Sequence, residues 1–210
     1  LSFSLFYKSF DDPIELVRIQ AQQTSSEFQP RNVGNGEVYG AEFELRQSLG
    51  FISESLMNLS MTTNVTFVES IIQMTDQEFD VRKSFEKEGQ DIDDQRQMAG
   101  QAPYIINAGL QYENPSFGLD GGLFYNIQGE TLVVVGGGLF PDVYTEPFHN
   151  LRLNLNKSLG PEDRAALTLS VSNILNDQRA ERYRAYNAED QIFSLYRPHT
   201  SVSVGFKYSF

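Results

Sequence analysis

Arginine and tyrosine side chains concentrate in one run of the sequence, NDQRAERYRAYNAEDQIF at 176–193. Arginine forms bidentate hydrogen bonds with anionic groups, and tyrosine offers a flat ring with a hydroxyl at its end. Such a local excess is unusual in a chain whose formal net charge is −12. It predicts a contact surface for an anionic or sugar-like ligand, and the candidate residues are Arg179, Arg182, Tyr183, Arg184 and Tyr186.

Acidic residues in the same run allow a purely structural role for these arginines. Glu181, Glu189 and Asp190 lie among them, and neighbouring connections are acidic too. Ion pairs between these groups would hold the segment in place without any ligand. The sequence leaves both roles open.

Three other patterns could carry chemistry, but each has a simpler explanation. His149 and His199 are the only histidines, and each lies near the outer end of a predicted strand, where a paired metal site is conceivable but a solvated or interfacial histidine is the simpler interpretation. The acidic run EKEGQDIDD at 86–94 lacks the spacing of an EF-hand loop and predicts a solvated loop. The run VVVGGGLF at 133–140 lacks a following Lys-Ser/Thr, so we interpret it as a flexible strand end rather than a phosphate-binding loop.

Composition excludes several classes of protein. The chain has 210 residues, of which 40% are hydrophobic and 21% charged, which is typical of one folded domain. Its net charge of −12 argues against nucleic acid as a partner, because phosphate binding needs clustered Lys and Arg. No run of about 18 apolar residues marks a membrane-spanning helix. With no cysteine, the chain offers neither thiol chemistry nor disulfides.

Eight stretches alternate apolar and polar side chains, which is the signature of β-strands with one apolar and one polar face. Most are about 9–13 residues long, more than the usual 5–6 of soluble proteins and enough for a tilted crossing of a bilayer. They lie at 1–10, 38–49, 56–70, 102–113, 118–130, 149–159, 164–173 and 201–210.

Short and long connections alternate strictly between these strands. The short ones, GFISES, NPSFG and GPEDR, predict hairpin turns, whereas the four others span many more residues. In an up-and-down sheet this order places all turns at one end and all long loops at the other, which is the layout of an outer-membrane barrel. We therefore predict an all-β, antiparallel, up-and-down transmembrane barrel, with a helix at most in the last long loop.

The closing stretch SVSVGFKYSF shows what this fold requires of its side chains. In a membrane barrel its apolar face contacts lipid while Lys207 and the serines face a wet lumen. In a soluble eight-stranded ligand carrier the same alternation would turn the apolar face inward. A self-contained eight-stranded outer-membrane barrel, acting as an adhesin or small membrane enzyme, is a further alternative.

Several stretches together resemble the last part of a TonB-dependent outer-membrane receptor of the Bacteroidota type. The stretches are FYKSFDDPIELVR, RNVGNGEVYGAEFELRQSLGF, RQMAGQAPYIINAGLQYEN, VSNILND and SVSVGFKYSF, so the resemblance covers essentially all of the chain. It implies that residues 1–210 form about the last third of a barrel of about 22 strands. It also implies an outer-membrane assembly signal at the end of the chain, formed by Val202, Val204, Phe206, Tyr208 and Phe210.

The resemblance implies active uptake of an extracellular ligand across the outer membrane of a Gram-negative bacterium. In such receptors the N-terminal part supplies a plug inside the barrel and the segment that contacts TonB, and neither is expected within residues 1–210. The implied partners are lipid, the extracellular ligand, the plug with the remaining strands, and TonB through the N-terminal part. Neither enzymatic activity nor a cofactor is implied.

Overall fold

A computed structural model of the chain describes residues 1–19, 27–137, 140–160 and 164–210. Almost all of its regular structure is β-strand, with one α-helix, α1, at Asp76–Ser84. The strands are β1 (Ser2–Phe10), β2 (Ile14–Ile19), β3 (Glu27–Asn32), β4 (Asn35–Ser48), β5 (Leu59–Gln73), β6 (Gln95–Arg96), β7 (Tyr104–Asn114), β8 (Leu119–Gln128), β9 (Thr131–Val134), β10 (Asp142–Thr145), β11 (Asn150–Leu159), β12 (Ala165–Ser172), β13 (Arg179–Arg184), β14 (Gln191–Tyr196) and β15 (Ser201–Tyr208).

Eight of these strands form one antiparallel up-and-down sheet in the order β1-β4-β5-β7-β8-β11-β12-β15, and the short β6 adds to β5. They are the eight strands that alternation predicts, so that part of the prediction is confirmed. The structure extends β4 at its loop end, to 14 residues, and shifts β5 by three residues towards the loops while keeping its 15 residues. The sheet is open, because β1 and β15 each pair with a single neighbour among the described residues.

The register places the apolar side chains of neighbouring strands on one face. Leu110 lies opposite Leu123, Leu123 opposite Leu153, Leu153 opposite Val171, and Val171 opposite Val202, so one apolar row crosses five strands. Because cross-strand partners point to the same side of a sheet, this row defines the apolar face. Leu155, Leu169, Val204 and Phe206 share it.

The opposite, polar face carries the residues between those apolar positions. Asp120 pairs with Asn156, whose side-chain amide donates to it over 3.0 Å, and Ser170 pairs with Ser203. The two faces therefore differ along the full width of the sheet, as strict alternation requires.

Connections sort to the two ends of the sheet as predicted. Residues 49–58 form the first short turn through two 3₁₀ turns, and residues 115–118 form the second. The third predicted turn, GPEDR, includes residues 161–163, which lie outside the described residues. The long connections all leave the opposite end of the sheet, because β1, β5, β8 and β12 end there.

The buried core lies in the long connections and the adjoining strand ends rather than along the sheet. Ile72, Leu132, Val135 and Val143 are the largest fully buried side chains of the described residues. The other buried hydrophobic residues there are Val33, Val38, Met74, Ala102, Ile127, Val134 and Ala180. Only the loop end of the sheet is thus packed like the interior of a soluble domain.

Candidate functional site

The four long connections pack together into one structure at the end of the sheet, which we call the loop cap. It comprises the described residues of the connections 11–34, 74–103, 129–149 and 173–200. The hairpin of β2 and β3 comes from the first connection, and α1 from the second. The third and fourth connections together build a small sheet in the order β14-β13-β10-β9.

The helix lies in the second connection, so its expected place in the last connection was wrong. The last connection instead supplies β13 and β14. A local signal for the helix exists in the sequence, because Thr75 precedes the first turn and Glu78 follows three residues later. The Thr75 hydroxyl oxygen accepts a hydrogen bond from the backbone N–H of Glu78 over 3.3 Å, and Arg82 and Lys83 lie in the last turn, where they favour the helix dipole.

The beginning of the run 133–140, together with Leu132 before it, belongs to the core of the loop cap, which corrects the interpretation of this run as a flexible strand end. Leu132 and Val135 are fully buried, and Val135 forms a parallel bridge with Val17 of the first connection. The backbone N–H of Arg18 donates to the Val135 carbonyl over 3.2 Å. The apolar residues pack against other loops, which the local sequence could not show. Residues 138–139 of the same run lie outside the described residues.

A chain of five charged side chains joins three of the four connections. Arg96 holds Glu15 of β2 at 2.8 Å and Glu78 of α1 at 2.7 Å. Glu78 also accepts from Arg82 at 3.1 Å, and Arg82 grips both carboxylate oxygens of Asp142 on β10 at 2.9 and 3.1 Å. The side chains of Arg96 and Glu15 are only 6% and 4% exposed. We call this chain the ion chain.

Charges in the loop cap shift the acid–base behaviour of two side chains at the ion chain. Burial opposes the charged form of Arg82, but the carboxylates of Asp142 and Glu78 outweigh it and raise the pKa of the guanidinium. Burial, helped by the nearby Asp142 carboxylate, raises the pKa of Tyr144 to about 12. Arg82 is therefore held as a cation and Tyr144 as a neutral phenol at physiological pH.

The five predicted ligand-contact residues all lie in the fourth connection, on β13 or just after it. Arg182 contacts Glu146 at 2.6 Å, and Arg184 contacts Glu130 and Asp190. Burial opposes the charged form of Arg184, yet its two carboxylate partners raise the pKa of the guanidinium. The arginines are thus engaged with acidic groups of the third and fourth connections.

The remaining members of this group also contact other parts of the loop cap. Tyr183 accepts a hydrogen bond from Arg18 at 3.2 Å and meets Phe193 edge to face, with ring centroids 5.3 Å apart. The Tyr186 hydroxyl donates to the Gly89 carbonyl over 2.6 Å, and its own carbonyl accepts from Lys87. Arg179 lies 4.5 Å from the centre of the Phe148 ring. Tyr186 keeps 42% of its surface exposed.

The two histidines and the acidic run do not form a metal site in the part of the chain that the structure describes. His149 shares a 2.7 Å hydrogen bond with the Tyr125 hydroxyl, and the backbone carbonyl of His199 accepts from Asn173. In the acidic run, Glu86 pairs with Lys83 and accepts from the backbone N–H of Ile92. No group of three or more histidine and carboxylate ligands is arranged to hold a metal among these residues.

The residues of the predicted assembly signal belong to β15 and the chain end. Val202, Val204 and Phe206 lie on the apolar face and are 63–73% exposed. Tyr208 pairs with Ala165, and its ring meets that of Phe210 at a centroid distance of 5.0 Å. The structure thus places these side chains on one open edge of the sheet. None of the described helices is long and apolar enough to cross a membrane.

The chain matches a known protein family, and its fold is similar to that of several solved structures. The family described as TonB dependent receptor-like, beta-barrel matches residues 1–174. The ferric citrate transporter FecA in its unliganded form superposes with a TM-score of 0.63 at 17% identity, over 98% of this chain and 28% of that one. The copper transporter OprC gives 0.61 at 14% identity, over 99% and 28%.

The FrpB iron transporter from Neisseria meningitidis gives a TM-score of 0.56 at 16% identity, over 99% of this chain and 27% of that one. At these identities the likeness concerns the fold. This chain spans only 27–28% of the length of the three transporters. No curated protein sequence matches it.

Proposed function

Because the chain belongs to the TonB-dependent receptor-like β-barrel family, we propose that it forms part of an outer-membrane receptor that imports an extracellular ligand actively. The observation that carries this proposal is the sheet itself, in which an apolar row crosses five strands while all long connections gather at one end. In a transmembrane barrel that row contacts lipid, the polar face lines the lumen, and the loop cap lies outside the cell.

The remaining strands, the plug and the TonB-contacting segment are assigned to other parts of a longer protein. Two facts support this assignment: the sheet is open at β1 and β15, and the chain spans about a quarter of the related transporters. Residues 1–210 then form the C-terminal part of the barrel without the plug. The Bacteroidota type of receptor stays a prediction from the sequence.

The open sheet gives less support to a self-contained eight-stranded barrel. Such a barrel needs the first and last strands to pair, whereas β1 pairs only with β4 and β15 only with β12 among the described residues. A soluble ligand carrier would bury the apolar face around its ligand, whereas Phe3, Leu5 and Val204 are 65–73% exposed. Receptor membership accounts for both observations, and we propose no enzymatic activity or cofactor.

Within this receptor, ligand contact by the arginine and tyrosine group stays a prediction. Its side chains already join connections of the loop cap, which supports the structural role that the sequence left open. Of the two tyrosines in the group, Tyr186 is better placed for an additional contact with a ligand, because its side chain is more exposed than that of Tyr183.

Cysteine labelling of the full-length receptor in intact cells tests the proposed topology. The chain has no cysteine of its own, so each introduced thiol is unique within it. Asp91→Cys in the loop cap should react with a membrane-impermeant maleimide on intact cells, because the Asp91 side chain is fully exposed. Ser55→Cys, in the short turn between β4 and β5, should react only after the cells are opened. The reverse pattern, or equal labelling of both, contradicts the proposal.

Transport itself is tested by comparing hosts with and without TonB. Cells that carry the full-length receptor should take up a nutrient only when TonB is present, across a panel of iron complexes and oligosaccharides. Uptake that is independent of TonB would contradict active import and indicate a passive pore.

The assembly signal can be tested in the same strains. Deletion of Phe210 should lower the amount of receptor in the outer membrane more than deletion of Asp91 does. Equal amounts of both would contradict a role of Phe210 in assembly.

A further inference from the structure

We infer that the polar face of the sheet carries, directly below the loop cap, a contact site for an uncharged polyhydroxylated ligand such as an oligosaccharide. The site consists of the side-chain amides of Asn64, Asn107 and Asn126 and of the ring of Phe124. This inference rests on the proposed function, because the polar face borders the path of a ligand only if the sheet is part of a transporter.

The amides form a row across neighbouring strands. Asn64 of β5 lies opposite Asn107 of β7, which lies opposite Asn126 of β8, and Asn150 continues the row on β11. The Asn126 amide donates to the Asn107 side-chain oxygen over 2.7 Å. Each amide has two N–H donors and an oxygen with two lone pairs, so this bond uses only a small part of the capacity of the row. Hydroxyl groups can satisfy the rest, because they both donate and accept.

The ring of Phe124 lies beside this row, one cross-strand row nearer to the turns, where Phe124 pairs with Gly109. A Cβ placed on Gly122 would come within 2.6 Å of two ring atoms, and one on Gly109 within 3.0 Å. The ring therefore lies against the sheet over two positions that have no side chain. Phe124 is only partly buried, so the ring offers an apolar surface next to hydrogen-bonding amides. A sugar ring presents the same combination, with C–H groups on its faces and hydroxyls at its edge.

The shape and charge of this part of the polar face favour an uncharged ligand. The three asparagines and Phe124 border a concavity of about 190 Å³. Glu44 and Arg152, also at its border, carry opposite charges that balance one another. Most of the arginines of the loop cap, in contrast, already have carboxylate or aromatic partners. The concavity thus combines neutral polar groups, one aromatic surface and no net charge.

The position of the site also fits a ligand that has passed the loop cap. Asn107 is the fourth residue of β7, which places it about 10 Å from the loop end of that strand at about 3.3 Å per residue. Asn126 lies two residues before the end of β8 at the same end of the sheet. A ligand moving inward from the cap would meet this row directly after the row of Thr66, Ile105 and Gln128 on the same face.

Calorimetric titration of the purified full-length receptor in detergent tests the site, with maltotriose and cellotriose as neutral probes and citrate as an anionic one. Asn107→Leu and Phe124→Leu should each weaken saccharide binding about tenfold, the effect of losing one or two hydrogen bonds or an aromatic contact. Asn154→Leu is the matched control, because Asn154 lies on the same face, on β11, opposite Gly122 and nearer to the turns. It should bind both saccharides like the unaltered receptor.

Several results would overturn the inference. They are no binding of either saccharide by the unaltered receptor, binding of citrate alone, equal weakening by Asn154→Leu, and release of the plug by the Asn107 and Phe124 variants without any change in saccharide affinity. The last result would make the row a contact for the plug. If these variants insert and transport in a TonB-dependent manner but keep full saccharide affinity, only this inference fails. Absence of the receptor from the outer membrane would instead remove the proposed function.

Discussion

The sheet and the loop cap are stabilised by different interactions, although one chain builds both. The sheet is joined by backbone hydrogen bonds in eight regular strands, and its apolar face stays exposed within this chain. The loop cap consists of short strands, one helix and irregular segments, and it contains most of the buried side chains and the ion chain. In the proposed receptor the sheet therefore depends on lipid and on neighbouring strands for burial, whereas the cap has its own core.

This difference predicts that a substitution can destabilise one region without destabilising the other. A substitution on the apolar face should act on membrane insertion and leave the contacts of the cap intact in the molecules that do insert. A substitution in the ion chain should open the cap and leave the barrel inserted. Four experiments test the comparison, from the largest expected effect to the smallest.

The largest effect is expected from Arg96→Met in the ion chain. Removing Arg96 leaves the buried carboxylate of Glu15 without its cation, and breaking a buried ion pair in this way costs about 3–5 kcal/mol. The loops of the inserted full-length receptor should then be cleaved by trypsin from outside the cell, while the amount of receptor in the membrane stays the same. Arg31→Met is the control, because Arg31 is exposed and donates to Gln29 of the same strand at 3.1 Å. Intact loops in Arg96→Met would show that the ion chain does not hold the cap.

The next effect is expected from Leu153→Arg on the apolar face. An arginine that faces lipid near the bilayer midplane costs about 2–4 kcal/mol, and Val204→Arg should behave alike there. The loss of stability should be measurable for the refolded full-length receptor by urea titration and by the electrophoretic mobility of unheated and heated samples. Asn154→Arg, the next residue on the polar face, should be tolerated. If Leu153→Arg is tolerated as well, the apolar face does not contact lipid.

These two regions also differ in how far the sequence predicts them. Alternation with a period of two residues is a local property of each strand, and it predicted all eight strands and their faces. The order of short and long connections then gave the arrangement of the sheet. No such period exists in the loops, where Glu15 and Arg96 meet although they lie far apart in the chain.

The loop cap shows which contacts sequence reasoning missed. Leu132 and Val135 are apolar in a glycine-containing run, and only their packing against other loops distinguishes a core from a flexible end. The asparagine row was present in the predicted strands, but its alignment requires the register between strands, which the sequence does not specify. The Thr75–Glu78 capping signal was available and would have placed α1 in the second connection.

A smaller effect is expected where the loop cap faces solvent. Tyr183→Ala with Arg184→Ala removes ion pairs whose side chains are 38% exposed, and such pairs contribute at most about 1 kcal/mol. The fourth connection should become more sensitive to protease, while the contacts of the ion chain stay intact. If these residues hold only the loop, the affinity of the receptor for its imported nutrient should not change. Lost affinity with normal folding would instead place this connection in the ligand site.

The smallest effect concerns the titration of Tyr144 beside the ion chain. Its pKa of about 12 lies above the usual value of 10, so the folded cap favours the neutral phenol. That contribution to stability is complete below about pH 10 and is lost as the pH rises through 12. The difference in tyrosinate absorbance between the unaltered receptor and Tyr144→Phe should therefore titrate near pH 12. Titration of this difference near pH 10 would mean that the phenol is solvated. The cap would then lack the buried core that distinguishes it from the sheet.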